Sequence, residues 1–343
     1  MKKIIECVPN FSEGRDDTII QAIAEAIRSV EGIKLLHIDA GRAANRTVIT
    51  FVGAPEAVVE AAFRGIQKAA NLIDMRQHTG EHPCIGATDV CPLIPISGVT
   101  MADVVEYSKQ LAARVGDPLS IPVFLYEKSA TLPQRRNLAT IRSGGYEGFK
   151  EKMALPEWKP DFGPSIFNQK TGATVIGARD FLIAYNVNLA TKSVEIARKI
   201  AQNIRESGFF TILPNGEKQH RAGLLKSVKA IGWYIEEHGC AQVSMNLTNI
   251  NVTTVHEAFE ACRKIAQTYG VAVTGSELIG LMPKRVMTEA GLFYLKKEGK
   301  NPIAPPSGIG VSEAELVKAA VDGLGLNDLK DFNPKERIIE YLL

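Results

Sequence analysis

Apolar positions along the chain recur first at every second residue and then at every third or fourth, in an order that repeats. KIIECV (residues 3–8) reads as a strand. DDTIIQAIAEAIRSVEG then sets Ile19, Ile20, Ile23, Ala26 and Ile27 on one helical face, with Asp16 or Asp17 as its cap. IKLLHIDAG predicts a strand ending at Gly41, and RTVITFVG (46–53), alternating and rich in β-branched residues, predicts another. PEAVVEAAFRGIQKAANLID has Pro55 at a helix start and an apolar face behind it, and TDVCPLIPIS reads as a strand. The order is β-α-β-β-α-β.

The second half repeats it. FLIAYNVNL (181–189) predicts a strand and TKSVEIARKIAQNIRES a helix capped by Thr191. VKAIGWYIEE and CAQVSMNLTNI form a strand pair joined at His238-Gly239. TTVHEAFEACRKIAQTYG is a helix closed by Gly270, and VAVTGSELIGLMP a last strand. Two such units predict an α+β fold of tandem ferredoxin-like (βαββαβ) subdomains, with helices packed on the sheets.

Between them, residues 100–172 hold one good helix (MADVVEYSKQLAARVG) and one strand (IPVFLYE), then the Gly-, Pro- and aromatic-rich stretches RSGGYEGF and LPEWKPDFGPSIFNQKTG. The latter reads as a linker between domains, a place where binding groups often sit. NPIAPPSGIG is a Pro/Gly-rich connection, and PKERIIEYLL ends the chain with one or two helices. The expected division is 1–178, 179–300 and a packed tail over 301–343.

Composition narrows the function classes. With 343 residues, 45% hydrophobic and 23% charged, the chain has material for real cores. A formal net charge of +2 is too balanced for a nucleic-acid protein, so any attraction for anions must come from local basic groups. Five scattered cysteines, with no CxxC pair, point to reduced thiols and a cytoplasmic location. The N-terminus is a strand rather than a signal peptide, and the absence of 18 or more consecutive apolar residues predicts no membrane span. In that setting the glycosylation patterns NRT at 45 and NLT at 246 carry no meaning.

One stretch carries candidate chemistry. His78-Thr79-Gly80-Glu81-His82-Pro83 spells H-x-x-E-H, the pattern of inverted zinc peptidases. That chemistry needs both histidines on one helical face. Gly80 weakens a helix there by about 1 kcal/mol, and Pro83 biases His82 away from helical backbone. No metal site is expected. A loop crowded with Gly80, Pro83 and Gly86 would instead hold His82 in a fixed pose for general acid/base work, or use it as a structural cap. Asp39, at a strand terminus, is a candidate to orient that imidazole or grip a cationic group, or is a plain polar strand end. Asn45 and Arg46 are candidates for binding a substrate carboxylate, or form a turn salt bridge. Phe162 and Phe167 offer stacking faces or packing, and Arg135, Arg136 and Arg142 form a basic cluster that is either solvated or anion-binding.

ECVPNFSEG (6–14), IDAG with NRTVITFVG, IDMRQHTGEHPCIGATDVCPLIP (73–95), PDFGPSIF (160–167), GARDFLIAYNVNL (177–189), AIGWYIEE (230–237) and PKERIIEYL (334–342) together resemble one family: the formiminotransferase domain of formiminotransferase-cyclodeaminase and the free-standing glutamate formimidoyltransferases. The resemblance covers nearly the whole chain in order, and a cyclodeaminase part is not expected within it. It implies transfer of a formimino group between N-formimino-L-glutamate and N5 of tetrahydrofolate, a step of histidine breakdown. It implies a homodimer of chains whose two ferredoxin-like subdomains flank a folate cleft. Tetrahydrofolate is then a substrate. His82 matches the family's catalytic histidine in its E-H-P segment. The folate-contacting loop matches Gly163, Pro164, Ser165, Ile166, Phe167, Asn168, Gln169, Lys170, Thr171 and Gly172. Where the family often has arginine after E-H-P, this chain has Cys84, a small filler, with Arg46 and Arg76 as possible substitutes. Two other functions compete. One is a one-carbon transferase using formylglutamate, 5-formyltetrahydrofolate or formiminoglycine. The other is a non-catalytic folate-binding module.

Overall fold

The computed structural model describes residues 2–300 and 311–342, so the connection expected at 301–310 lies outside the described residues. The chain divides into two compact units, Met1–Asp180 and Phe181–Leu343.

In the first unit β1 (Ile4–Cys7) and β2 (Asn10–Phe11) run in one line, interrupted at Val8-Pro9. They are followed by α1 (Asp17–Arg28), β3 (Lys34–Gly41), β4 (Arg46–Gly53), α2 (Pro55–Leu72), β5 (Thr88–Ser97) and α3 (Met101–Leu119). After these come β6 (Val123–Leu125), α4 (Leu138–Arg142), α5 (Phe149–Met153) and β7 (Thr174–Ala178). Both β1 and β2 lie antiparallel between β4 and β5, and β3 pairs with β4. That is the ferredoxin-like order. It is extended by β7 and β6, which add parallel strands beside β5.

Alternation decides what each face does. Ile5, Cys7, Ile49, Phe51, Cys91 and Leu93 point into the core that α1, α2 and α3 cover. On the opposite face, Val90, Phe124 and Val175 are covered by Ile141, Phe149, Met153 and Trp158 from the segment after β6. Positions Arg46, Val48 and Thr50 of β4 also point away from the helices, because their neighbours Ile49 and Phe51 point toward them. The site occupies this face.

The stretch expected to link the two domains is instead laced into the first unit. Val123 N–H donates to Phe162 O (2.9 Å), and Ala173 N–H donates to Ile85 O (2.9 Å). Asp161, 8% exposed at its side chain, pairs with Arg135, 3% exposed, at 2.7 Å. Arg135 also donates to the carbonyls of Glu157 (3.0 Å) and Lys159 (2.6 Å). It is therefore a buried clamp rather than part of a solvated basic cluster.

The second unit contains β8 (Ile183–Leu189), α6 (Val194–Ile204), the hairpin β9 (Phe209–Ile212) and β10 (Lys218–Arg221), β11 (Val228–Ile235) and β12 (Cys240–Leu247). It continues with α7 (Val255–Thr268), β13 (Val273–Ile279), α8 (Lys284–Lys297), α9 (Glu313–Leu324), α10 (Pro334–Arg337) and α11 (Ile339–Leu342). Its sheet, β11-β12-β8-β13, is antiparallel throughout and repeats the strand order of the first. Ser193 caps α6, accepting from Ile196 N–H at 3.3 Å, where Thr191 was expected; the Thr191 hydroxyl instead accepts from Ser193 N–H. Tyr185, fully buried in this core, satisfies its hydroxyl by donating to Ser276 Oγ at 2.7 Å.

Candidate active site

Residues 78–87 contain no helix. His78 ends a short 3₁₀ turn over Met75–Gln77 with extended backbone (ψ 132°), so the four-residue spacing to His82 does not place the two rings on one helical face. The H-x-x-E-H pattern therefore lacks the geometry that gives it meaning. What the loop has instead is anchorage. Glu81 N–H donates to Ala43 O (3.2 Å), and a Cβ on Gly80 would fall 2.3 Å from Ala44 O. Asn45, at φ +47°, donates through Nδ2 to Thr79 O (2.9 Å) and accepts from Gly14 N–H at Oδ1 (2.9 Å). Ser12 Oγ donates to Gly86 O at 2.7 Å. The loop is thus pinned to the β3–β4 turn and to the end of β2.

His82 is half-buried on this loop. Its Nδ1 lies 2.8 Å from Pro83 O, an acceptor that favours the tautomer protonated at Nδ1 with Nε2 as the acceptor. Arg46 Nη1 lies against the ring edge, 2.8 Å from Nδ1 and in contact with Nε2. Burial first, then the charges of Arg46 and Arg142, hold the imidazole well below its usual pKa of 6.5. The ring is neutral at physiological pH.

Arg46 reaches His82 from the first position of β4, and its Nη2 contacts Asn10 Oδ1. Its Nε is buried without a partner among the described residues. Burial and the repulsion of Arg142 bring this guanidinium down to about 10. Arg142, at the end of α4, pairs with Asp89, which is 1% exposed and also accepts from Ile85 N–H at 3.1 Å. Two guanidinium groups, one carboxylate and a neutral imidazole leave the cluster with one net positive charge and an unsatisfied N–H. That arrangement suits a carboxylate ligand.

The sequence matches the family model described as the formiminotransferase domain, N-terminal subdomain, over residues 4–179, and the formiminotransferase domain over 184–343. The chain belongs to the formiminotransferase family. It is 46% identical to the formimidoyltransferase-cyclodeaminase of Dictyostelium discoideum over all of this chain and 61% of that protein. To the corresponding protein of Rattus norvegicus it is 47% identical, over all of this chain and 60% of that one. The chain therefore spans about three fifths of these relatives. The glutamate formimidoyltransferase of Streptococcus pyogenes serotype M1 is 43% identical over 87% of this chain and 95% of its own length.

Within this family frame the expected site residues separate. His82 and Arg46 come together. Asp39 lies on β3 opposite Val48, and Arg46 lies opposite Gly41, so both project from the same sheet face. The partners of the His82 ring, however, are Arg46 and Pro83 O. Asn45 is occupied with holding the loop. Arg76 closes on Asp74 in its own exposed turn (Nε–Oδ1 2.8 Å). Cys84 is half-buried and its thiol is pushed up to about 11, first by burial and then by Asp89, so it stays protonated.

The 163–172 loop meets the histidine loop. Gly172 bridges Gly86, and Ala87 N–H donates to Thr171 O at 2.8 Å. Asn168 Oδ1 accepts from the N–H groups of Lys170 and Thr171 (both 3.1 Å), and Lys170 Nζ donates to Asn71 O (2.9 Å). Phe167 turns inward, with ring centroids 5.3 Å from Tyr146 and 6.3 Å from Phe149, and Phe162 packs on the helix-side core. The exposed residues of the loop are Ser165, Ile166, Gln169 and Lys170, with Ile166 79% exposed. Sequence reasoning missed Asn10, Ser12 and Asp89. The signal for Asp89 was present: a lone carboxylate inside the otherwise apolar run TDVCPLIPIS must have a partner.

Proposed function

We propose that the chain is a glutamate formimidoyltransferase that moves the formimino group of N-formimino-L-glutamate to N5 of tetrahydrofolate, with His82 as the general acid/base. The observation that carries this reading is a neutral imidazole on an anchored loop beside an arginine with an unsatisfied N–H. N5 attacks the amidine carbon, a tetrahedral intermediate forms, and it collapses by expelling the glutamate nitrogen. His82 Nε2 takes the proton from N5 and delivers one to the departing nitrogen. Proton handling of this kind contributes about 10²–10⁴-fold. Holding the two substrates in register contributes more, with effective molarities of about 10⁵ M and above.

Arg46 engages a donor carboxylate through its fork, and in doing so releases Nε2 for the proton. Asp39, projecting from the same sheet face, takes the amidinium. Loop 163–172 contacts the folate through Gly163, Pro164, Ser165, Ile166 and the backbone that Asn168 fixes. The reading assigns no metal, and it carries a cytoplasmic homodimer, for which sizing chromatography is the check.

Steady-state turnover with formiminoglutamate and tetrahydrofolate tests the proposal, with formylglutamate and formiminoglycine as competing donors. His82→Ala is expected to cut turnover about 10²–10⁴-fold while retaining folate binding. Near wild-type turnover in that variant would remove His82 from the chemistry. Saturable folate binding with no transfer to or from any donor would favour the non-catalytic module.

A further inference from the structure

The site contains a charged pair that this chemistry does not use. Arg142 follows Ile141, which anchors α4 in the core, and its guanidinium meets Asp89 twice: Nε at 3.2 Å from Oδ1, and Nη2 on Oδ2. A carboxylate as buried as Asp89 is tolerated only with a cation on it. Its Oδ1 also accepts from Ile85 N–H, three residues beyond His82. One carboxylate therefore fastens α4 to the histidine loop.

The charged groups that act on His82 are Arg46 on β4 and Arg142 on α4, and the Pro83 carbonyl touches the ring from its own loop. Asp89 on β5 and the protonated Cys84 thiol stand by the same two arginines. Asn10 and Ser12 add uncharged dipoles through Arg46 and Gly86. Asp89 offsets one of the two guanidinium charges, so the remaining net positive charge sets the sign of the field at the ring.

We propose that Arg142 is a positioning residue for His82: its two-pronged bond to Asp89 holds the carboxylate that tethers the histidine loop at Ile85 N–H, and its guanidinium adds positive charge to the surroundings of the ring. The inference rests on the reading of His82 as the proton carrier. Lysine at 142 would keep the charge but lose the two-pronged grip on Asp89.

Histidine NMR titration of the full chain tests it, with the His82 signal assigned by its loss in His82→Gln. In Arg142→Gln the proton affinity of His82 is expected to rise about tenfold or more, one pH unit in the midpoint. The acid limb of kcat/KM should move with it. Arg142→Lys should stay close to wild type. Because Arg142→Gln strands a buried carboxylate, the double variant Arg142→Gln/Asp89→Asn, close in shape, is used if the single variant does not fold; losing one charge of each sign, it should shift the His82 midpoint less, while the untethered loop lowers kcat. An unchanged His82 titration in folded Arg142→Gln, or an unchanged kcat in the double variant, overturns the inference. A shifted titration in a protein that transfers nothing overturns the transferase reading and leaves the electrostatic one standing.

Discussion

A buried imidazole with the Arg46 guanidinium against its ring resists a further positive charge, and this sets the pH range of the site. Because burial and Arg46 hold His82 well below 6.5, the base form persists as pH falls. The acid limb of kcat/KM should therefore lie below pH 6.5, where a free histidine would already have lost half its activity; a limb at or above 6.5 would contradict the geometry. The pose of the ring is as testable as its charge. A Cβ on Gly80 meets Ala44 O at 2.3 Å, a backbone atom that cannot swing aside. Gly80→Ala should displace the loop and lower kcat about 10²-fold, with an unchanged circular dichroism spectrum, since small misplacements of a reacting group cost that much. His82 was legible in the sequence because its neighbours restrict the backbone locally. Asp89 and Arg142 were not legible as a pair, because the 53 residues separating them bring a strand and a helix together only in the folded chain.

Legibility at the scale of elements followed burial. Strands with one covered face, such as β4, alternate and could be read directly. β7 is buried along its whole length, so TVIGA shows no alternation and was not read as a strand. The hairpin of β9 and β10 was missed for the opposite reason: Phe210 and Ile212 are 65% and 74% exposed, so no core pattern marks it. The supposed linker makes its own prediction. Asp161 accepts from Leu125 N–H at 2.8 Å as well as from the buried Arg135, joining β6 to the segment before the 163–172 loop. Asp161→Ala leaves an uncompensated buried guanidinium and should lower the unfolding free energy by about 3–5 kcal/mol in denaturant titration. A loss below about 1 kcal/mol would show that this segment is not held as described.

Both units of the whole molecule repeat one strand order, and the first carries His82, Arg46 and the 163–172 loop. Its stability should respond to pH through a buried group outside the proton chemistry. Glu6, 3% exposed on β1, is pushed up to about 7 by burial, which the charge of Arg179 only partly offsets. A carboxyl whose pKa is higher in the folded chain binds its proton more tightly there than in the unfolded chain. Its ionisation therefore removes stability as pH rises from the unfolded value of 4.5 toward 7, by about 3 kcal/mol at most on the order of magnitude set by 1.36 kcal/mol per unit. His82 acts with the opposite sign. Its folded pKa is depressed, so stability is lost as pH falls below 6.5, when the unfolded chain takes up the proton first. Across pH 4.5–6.5 the two effects oppose each other and flatten the profile. Glu6→Gln keeps the shape and removes the ionisation. The variant should be more stable than the parent at pH 8, equal to it near pH 4, and show a clear rise in unfolding free energy between those values. Denaturant midpoints that move in parallel for both proteins across this range would mean that Glu6 is already ionised at little cost, and that the charge of Arg179 governs this part of the sheet.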